Sequence, residues 1–225
     1  MKTIWAVIPA YNEADCIVKT IQAVQMVPEI ERVLVINDGS TDTTAEEVKK
    51  TGACLINLPR NMGKGGAMNR AAQELDAADI VIFLDGDLGD SASQAGLILQ
   101  PVLEGTADLA VASFPPPRRK GGFSLVKKTA AWAISRAGNL QSTAPLSGQR
   151  AMTREVLQAV LPFDKSYGVE LGMTIRALRQ GFRVVEVPTT MSHKETGRDF
   201  QGFKHRGRQL WDVLKVIVRE WRNLL

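Results

Sequence analysis

Cysteine is scarce in this chain: Cys16 and Cys54 are the only two, and no CxxC pair exists. A disulfide scaffold is therefore excluded. Both thiols sit in apolar or helical context, so they are expected to be small buried hydrophobes in a reducing compartment. No stretch reaches the roughly 18 apolar residues that a membrane-spanning helix needs. The opening MKTIWAVIPAYNE does not read as a signal peptide, because its apolar run is short and ends at Pro9. A cytoplasmic location is the expectation. Histidine is as rare as cysteine, at two residues. No basic face interleaved with aromatics occurs, which argues against nucleic-acid binding. Internal repeats and low-complexity segments are missing as well.

What is present is ordinary globular material, 225 residues with 44% hydrophobic and 23% charged. One α/β domain is expected, with two small domains sharing an interface as the alternative. The net charge is +4 and the pI about 9.2. That modest excess fits a solvated surface, an anionic substrate or an acidic membrane surface.

Short apolar runs rich in β-formers recur at residues 3–9, 32–36, 53–57, 80–84 and 109–113. Helical patterns separate them, opening near Asn12 or Glu13 and covering 41–50, 64–75 and 91–103. Strands alternating with helices predict βαβ units and a mostly parallel sheet. Further on, 123–137, 153–159, 169–180 and the tail 203–225 read as helices, 182–187 as a strand and Ser147–Arg150 as a turn. The tail places Leu210, Leu214, Ile217 and Val218 on one face. Residues 114–122, FPPPRRKGG, suit neither helix nor strand and read as a loop.

Ligands of such sheets bind beyond the carboxyl ends of the strands. Three polar clusters fall there. Asp85-Gly86-Asp87 follows a wholly apolar strand. Two carboxylates one residue apart suit a hard cation such as Mg²⁺ or Mn²⁺ that shares substrate phosphates, and the glycine leaves space for a ligand. Asp38-Gly39-Ser40 offers a carboxylate for a nucleobase N–H or a ribose hydroxyl, while Ser40 and Thr41 can cap the next helix. Pro9-Ala10-Tyr11-Asn12-Glu13 supplies an aromatic ring for a base and a carboxylate for ribose. A fourth segment, Asn61–Gly66, permits close backbone approach and offers Lys64 to a base or phosphate. It is not a P-loop, because Gly65 follows Lys64 where Ser or Thr is required. Each cluster alone would pass as turn chemistry; their shared position at strand ends argues for one composite site.

Taken in order, VIPAYNE, INDGSTDTT, NMGKGGAMN and FLDGDL resemble the family-2 type of glycosyltransferase with the GT-A fold. The resemblance implies a nucleotide-sugar donor and a metal-binding pair, Asp85 and Asp87. It also implies donor contacts from Pro9, Ala10, Tyr11, Glu13, Asp38, Gly39, Lys64, Asp85 and Gly86. In the second half, LSGQR at 146–150 resembles an acceptor-side loop. Tyr167-Gly168-Val169-Glu170 is similar to a segment of glucosyl-3-phosphoglycerate synthases, which implies that Glu170 serves the acceptor and reaction centre. His193 follows the last strand where those enzymes supply a third metal ligand. Dolichyl-phosphate mannosyltransferases share the first-half pattern. The shorter length and the distinct 196–208 stretch leave the acceptor open.

The expected activity is transfer of a hexosyl unit from a UDP- or GDP-sugar, with Asp87 and Glu170 at the reaction centre and Mg²⁺ or Mn²⁺ as cofactor. Residues 1–113 would form the donor half and 114–225 the acceptor half of one domain. A phosphorylated acceptor such as 3-phosphoglycerate would suit the basic loops around Arg118–Lys120 and Lys194–Arg208. The rivals are a polyprenyl-phosphate sugar transferase, a nucleotidyltransferase and a non-catalytic binding module. For the first, a tail helix with Trp211, Lys215, Arg219, Trp221 and Arg222 would touch the cytoplasmic face of a membrane. A homodimer is left open.

Overall fold

A computed structural model describes residues 2–114, 124–164, 168–192, 211 and 213–220. Seven strands build one sheet: β1 (Ile4–Ala10), β2 (Arg32–Asn37), β3 (Cys54–Asn57), β4 (Ile80–Phe83), β5 (Leu109–Ser113), β6 (Arg150–Thr153) and β7 (Val184–Pro188). Their order is β3-β2-β1-β4-β6-β5-β7. Every neighbouring pair is parallel except the two that involve β6, which runs antiparallel to β4 and β5.

The helices are α1 (Ile17–Gln25), α2 (Thr44–Lys49), α3 (Lys64–Ala72), α4 (Ala95–Leu103), α5 (Ser124–Ala137), α6 (Arg154–Val160) and α7 (Val169–Arg179). A strand's side chains alternate between faces, and β1 shows how the sheet is buried on both. Ile4, Ala6, Ile8 and Ala10 face α1 and α4, joining Ile17, Ile21, Ile98 and Leu99. Trp5 and Val7 face α3, α6 and α7, joining Met68, Leu157 and Met173. A third apolar cluster packs α5 against α7 and the C-terminal helix through Ala130, Ile134, Ile175, Val213 and Val216.

Several expectations need correction. The residues from Arg150 are not all turn: Arg150–Thr153 is a central strand, paired from Phe83↔Arg150 to Ile80↔Thr153. The helix expected from Asn12 begins only at Ile17, because Asn12 takes a positive φ of 57° and ends the strand in a turn. The 91–103 helix is preceded by a 3-10 turn at Gly89–Gln94. Cys54 is exposed and Cys16 only half-buried, so neither is a core hydrophobe; both are free thiols. On the C-terminal helix the buried face is Val213, Val216, Ile217 and Glu220, while Leu214 and Val218 are exposed. Ion pairs fasten that helix: Arg176 Nε lies 3.0 Å from Glu220 Oε1, and Arg219 binds Asp164 and Glu220.

At the centre of the sheet Phe83 is fully buried, its ring edge-on to Phe163 at 5.6 Å between centroids and 87° between planes. Phe83→Ala is expected to cost about 3–5 kcal/mol by cavity formation, read as a lower urea midpoint at unchanged slope.

Candidate active site

The site lies at the carboxyl edge of the sheet, and the strand directions explain why. β1, β2 and β4 end there, at Ala10, Asn37 and Phe83. Because β6 is reversed, it starts there, so the residues before it, Ser147-Gly148-Gln149, reach the same edge as Asp85.

The loops after β1 and β2 are stitched together by local polar chemistry. Asn12 N–H donates to Ser40 Oγ at 3.0 Å, and Thr41 N–H donates to Asn12 Oδ1 at 2.8 Å. Glu13 N–H donates to Thr44 Oγ1 at 2.8 Å. Ser40 and Thr41 therefore tie loops rather than cap a helix; α2 starts after Thr43, and Asp42 Oδ1 accepts from Thr44 N–H at 3.0 Å. Tyr11 stands out at 45% exposed, its ring open to a ligand. Asp38 is buried, and its Oδ1 accepts from Met62 N–H at 2.7 Å. Burial raises its pKa, against the backbone donors of Met62 and Gly63. Its carboxylate thus organises the loop that leads to Lys64. Gly39, at φ +68°, comes so close to this loop that a Cβ would lie 2.4 Å from the Arg60 carbonyl carbon.

Asp85, Lys64 and Glu170 form the centre. Lys64 Nζ lies 2.5 Å from Asp85 Oδ1 and 2.9 Å from Glu170 Oε1. Burial opposes the ammonium charge, but attraction to Asp85 and Glu170 outweighs it, so the Lys64 pKa lies above its ordinary value. Gln149 Nε2 donates to Asp85 Oδ2 at 2.6 Å. Between them Gly148 leaves no space for a side chain: a Cβ would sit 2.4 Å from Lys64 Nζ and 2.6 Å from Asp85 Oδ2. Gly86 packs against Ala10 and Glu13, where a Cβ would meet Glu13 Cγ at 3.3 Å. Asp87 is partly exposed on the turn that follows.

Four supporting residues were not singled out as site residues from the sequence. Thr20, fully buried on α1, donates its hydroxyl to Gly86 O at 2.8 Å and accepts from Gly89 N–H at 2.8 Å. It fixes the turn that carries Asp87; its signal was a polar residue among Ile17, Ile21 and Val24. Gln149 was visible as part of a turn and of the LSGQR segment that resembles an acceptor-side loop. Arg150 is completely buried; Nε donates to Ser147 O at 2.7 Å and Nη1 to Thr174 Oγ1 at 2.8 Å, tying the 147–149 loop to α7. Burial pushes its pKa down to about 10, against the attraction of Glu170, Glu186 and Asp85. Glu186 on β7 gathers the start of the same loop. It accepts from Ser142 Oγ at 2.5 Å, Thr143 N–H at 2.9 Å, Thr143 Oγ1 at 2.5 Å and Ala144 N–H at 3.1 Å.

The donor set fits a hard divalent cation in part. Asp87 and Asp85 are oxygen ligands of the right kind, and such ions bind through one or two carboxylates plus substrate phosphates. Asp85 holds Lys64 on one oxygen and Gln149 on the other. Among the described residues no group of three or more His, Cys, Asp or Glu gathers at one point. His193 lies outside the described residues, as do Arg118–Lys120, Tyr167, the 194–208 cations and Trp221 and Arg222.

A family model described as Glycosyl transferase family 2 matches residues 5–159, and the chain belongs to that family. It is 31% identical over 195 residues to Glycosyltransferase AglJ of Haloferax volcanii, covering 85% of this chain and 63% of that one. The chain thus spans less than two thirds of that relative's length. It is 30% identical over 210 residues to the undecaprenyl-phosphate mannosyltransferase of Micrococcus luteus, covering 85% and 84%. Among solved structures it is similar to the glucosyl-3-phosphoglycerate synthase of Mycobacterium tuberculosis in complex with Mn²⁺, UDP-glucose and phosphoglyceric acid. That match has 27% identity and a TM-score of 0.77, over 97% of this chain and 79% of that one. The expected α/β fold of GT-A type is therefore the observed one.

The loop anchor has a pH signature. Burial would raise the Glu186 pKa, but the hydrogen bonds from Ser142, Thr143 and Ala144 outweigh it and hold the value below the ordinary 4.5. A depressed folded value means that the stabilisation is complete above the unfolded pKa and lost as pH falls through the folded one. Glu186→Gln is accordingly expected to lower the melting temperature at neutral pH and to narrow its gap from wild type below about pH 4, measured by circular dichroism.

Proposed function

We propose that the chain transfers a hexosyl unit from a UDP- or GDP-sugar to an acceptor oxygen. The observation that carries this reading is the convergence of Asp85 and Glu170 on Lys64 at the carboxyl edge of the sheet, with Asp87 on the adjoining turn. Residues 1–113 supply the donor side: Tyr11 and Asp38 with its loop near the base, Glu13 near the ribose, Lys64 near the diphosphate. Residues 114–225 build the acceptor side around Glu170. Asp87, with Asp85 beside it and His193 as a further ligand, would hold Mg²⁺ or Mn²⁺. When bound, the cation offsets the charge of the departing diphosphate. Glu170, 7% exposed at the start of α7, orients the acceptor hydroxyl by accepting its hydrogen bond. Likeness to a synthase solved with UDP-glucose and phosphoglyceric acid supports a phosphorylated acceptor such as 3-phosphoglycerate.

The test is a panel of nucleotide sugars with Mn²⁺ or Mg²⁺, scored for release of the nucleoside diphosphate with and without 3-phosphoglycerate. Metal-dependent release, stimulated by the acceptor, is expected. Asp87→Ala should reduce it at least 100-fold, the scale of losing a charge-stabilising group, with the fold retained. Full activity in that variant would remove the metal role from Asp87.

A second reading, transfer to a polyprenyl phosphate, is favoured by a specific surface. Leu125 and Trp132 on α5, and Trp211, Leu214 and Val218 on the C-terminal helix, are exposed. Lys127, Lys128, Arg136 and Lys215 accompany them, with Arg136 and Lys215 each 5.7 Å from a Trp ring. Aromatic and cationic side chains together suit an anionic membrane surface. No described helix is long and apolar enough to cross a membrane. On this reading the protein sediments with anionic vesicles but not with neutral ones, and Trp132→Ala weakens the effect. Equal behaviour on both vesicle types removes the reading.

A further inference from the structure

We propose that Lys64 couples the donor and acceptor sides of the site, by acting as the shared counter-ion of Asp85 and Glu170 and releasing Glu170 when a nucleoside diphosphate binds. This rests on the reading above that places Lys64 near the donor diphosphate. The two carboxylates come from distant parts of the chain, one after β4 and one on α7, and one ammonium satisfies both at 2.5 and 2.9 Å.

The geometry limits what can happen on binding. Asp85 has a second partner, Gln149, at 2.6 Å on Oδ2, so it keeps a hydrogen bond if Lys64 moves. Glu170 is buried and its ion pair is with Lys64, so it loses more. The attraction of the buried Arg150 guanidinium remains, but a buried carboxylate that loses its ion-pair partner is costly and becomes a strong acceptor for an incoming hydroxyl. The Lys64 side chain is a flexible stem with a point charge, rooted at the first residue of α3, so it can reach a phosphate oxygen without moving the backbone. A diphosphate carries more negative charge than one carboxylate and draws the ammonium toward itself. Donor binding therefore costs the Lys64–Glu170 pair, and acceptor binding recovers part of that cost. Linkage makes the effect reciprocal: each ligand strengthens the other. The acceptor side is primed only after the donor is seated, which favours transfer over premature opening of an acceptor pocket.

The coupling can be read without knowing the acceptor, using UDP or GDP with Mn²⁺ in isothermal titration calorimetry. Glu170→Gln removes the pair that the diphosphate must break. It should therefore tighten binding of the nucleoside diphosphate, by roughly 5-fold or more, the lower range of site-to-site coupling. In a Lys64→Gln background the same Glu170→Gln change should have no effect on that affinity. In a Lys64→Arg background, which keeps a cation between the carboxylates, part of the effect should return. Thermal melts establish that each variant is folded. An unchanged affinity in Glu170→Gln, or an equal shift in the Lys64 and Lys64→Gln backgrounds, overturns the link while leaving the glycosyltransferase reading intact. No metal-dependent binding of UDP or GDP to the wild-type protein overturns the donor reading itself, and the link with it.

Discussion

Two carboxylates stand together at the edge of this sheet because one ammonium stands between them. Without Lys64, Asp85 and Glu170 would face each other largely removed from water, and like charges so placed repel strongly. The rest of the site is arranged around that triad. Asp38 shapes the loop ahead of Lys64, Thr20 pins the turn beyond Asp85, and Gly148 leaves the room in which the three groups meet. Arg150 and Glu186 hold the 142–149 loop, so that Gln149 arrives at the second oxygen of Asp85. The chemistry is local, but its placement draws on β1, β2, β4, β6, β7 and α7.

Much of this was legible in the sequence. The parallel strands announce themselves as apolar runs, since a strand buried on both faces has no polar side to interrupt it. The polar clusters at their ends mark one edge, and that edge is where Asp85, Lys64 and Glu13 are found. Glu170 came from resemblance, and its ion pair with Lys64 gives that resemblance a physical content. β6 was illegible for a definite reason. Its text, RAMT, is short, begins with a cation and ends with a hydroxyl, yet Arg150 is buried completely, held by partners more than a turn away. No periodicity argument finds a buried guanidinium. The same holds for Glu186, whose role depends on a loop 42 to 44 residues distant in sequence.

The C-terminal helix misled in a different way. It carries two apolar stripes, and spacing alone cannot say which is turned inward. In the structure Arg176 pairs with Glu220 and Arg219 with Asp164 and Glu220, while Val213, Val216 and Ile217 pack with α5 and α7. The stripe with Trp211, Leu214 and Val218 is left outside.

The reversed strand has a consequence for how such proteins can change. β6 is contributed by the second half of the chain, yet it sits between β4 and β5 of the first. Cut away at residue 113, the first half would be left with unpaired edges on both of those strands, and its two apolar faces would open where α6 and α7 had covered them. Such a piece is not a portable cassette. New acceptor preferences in this architecture must therefore arise by rewriting the loops and helix ends around an unbroken sheet, and not by trading one half for another.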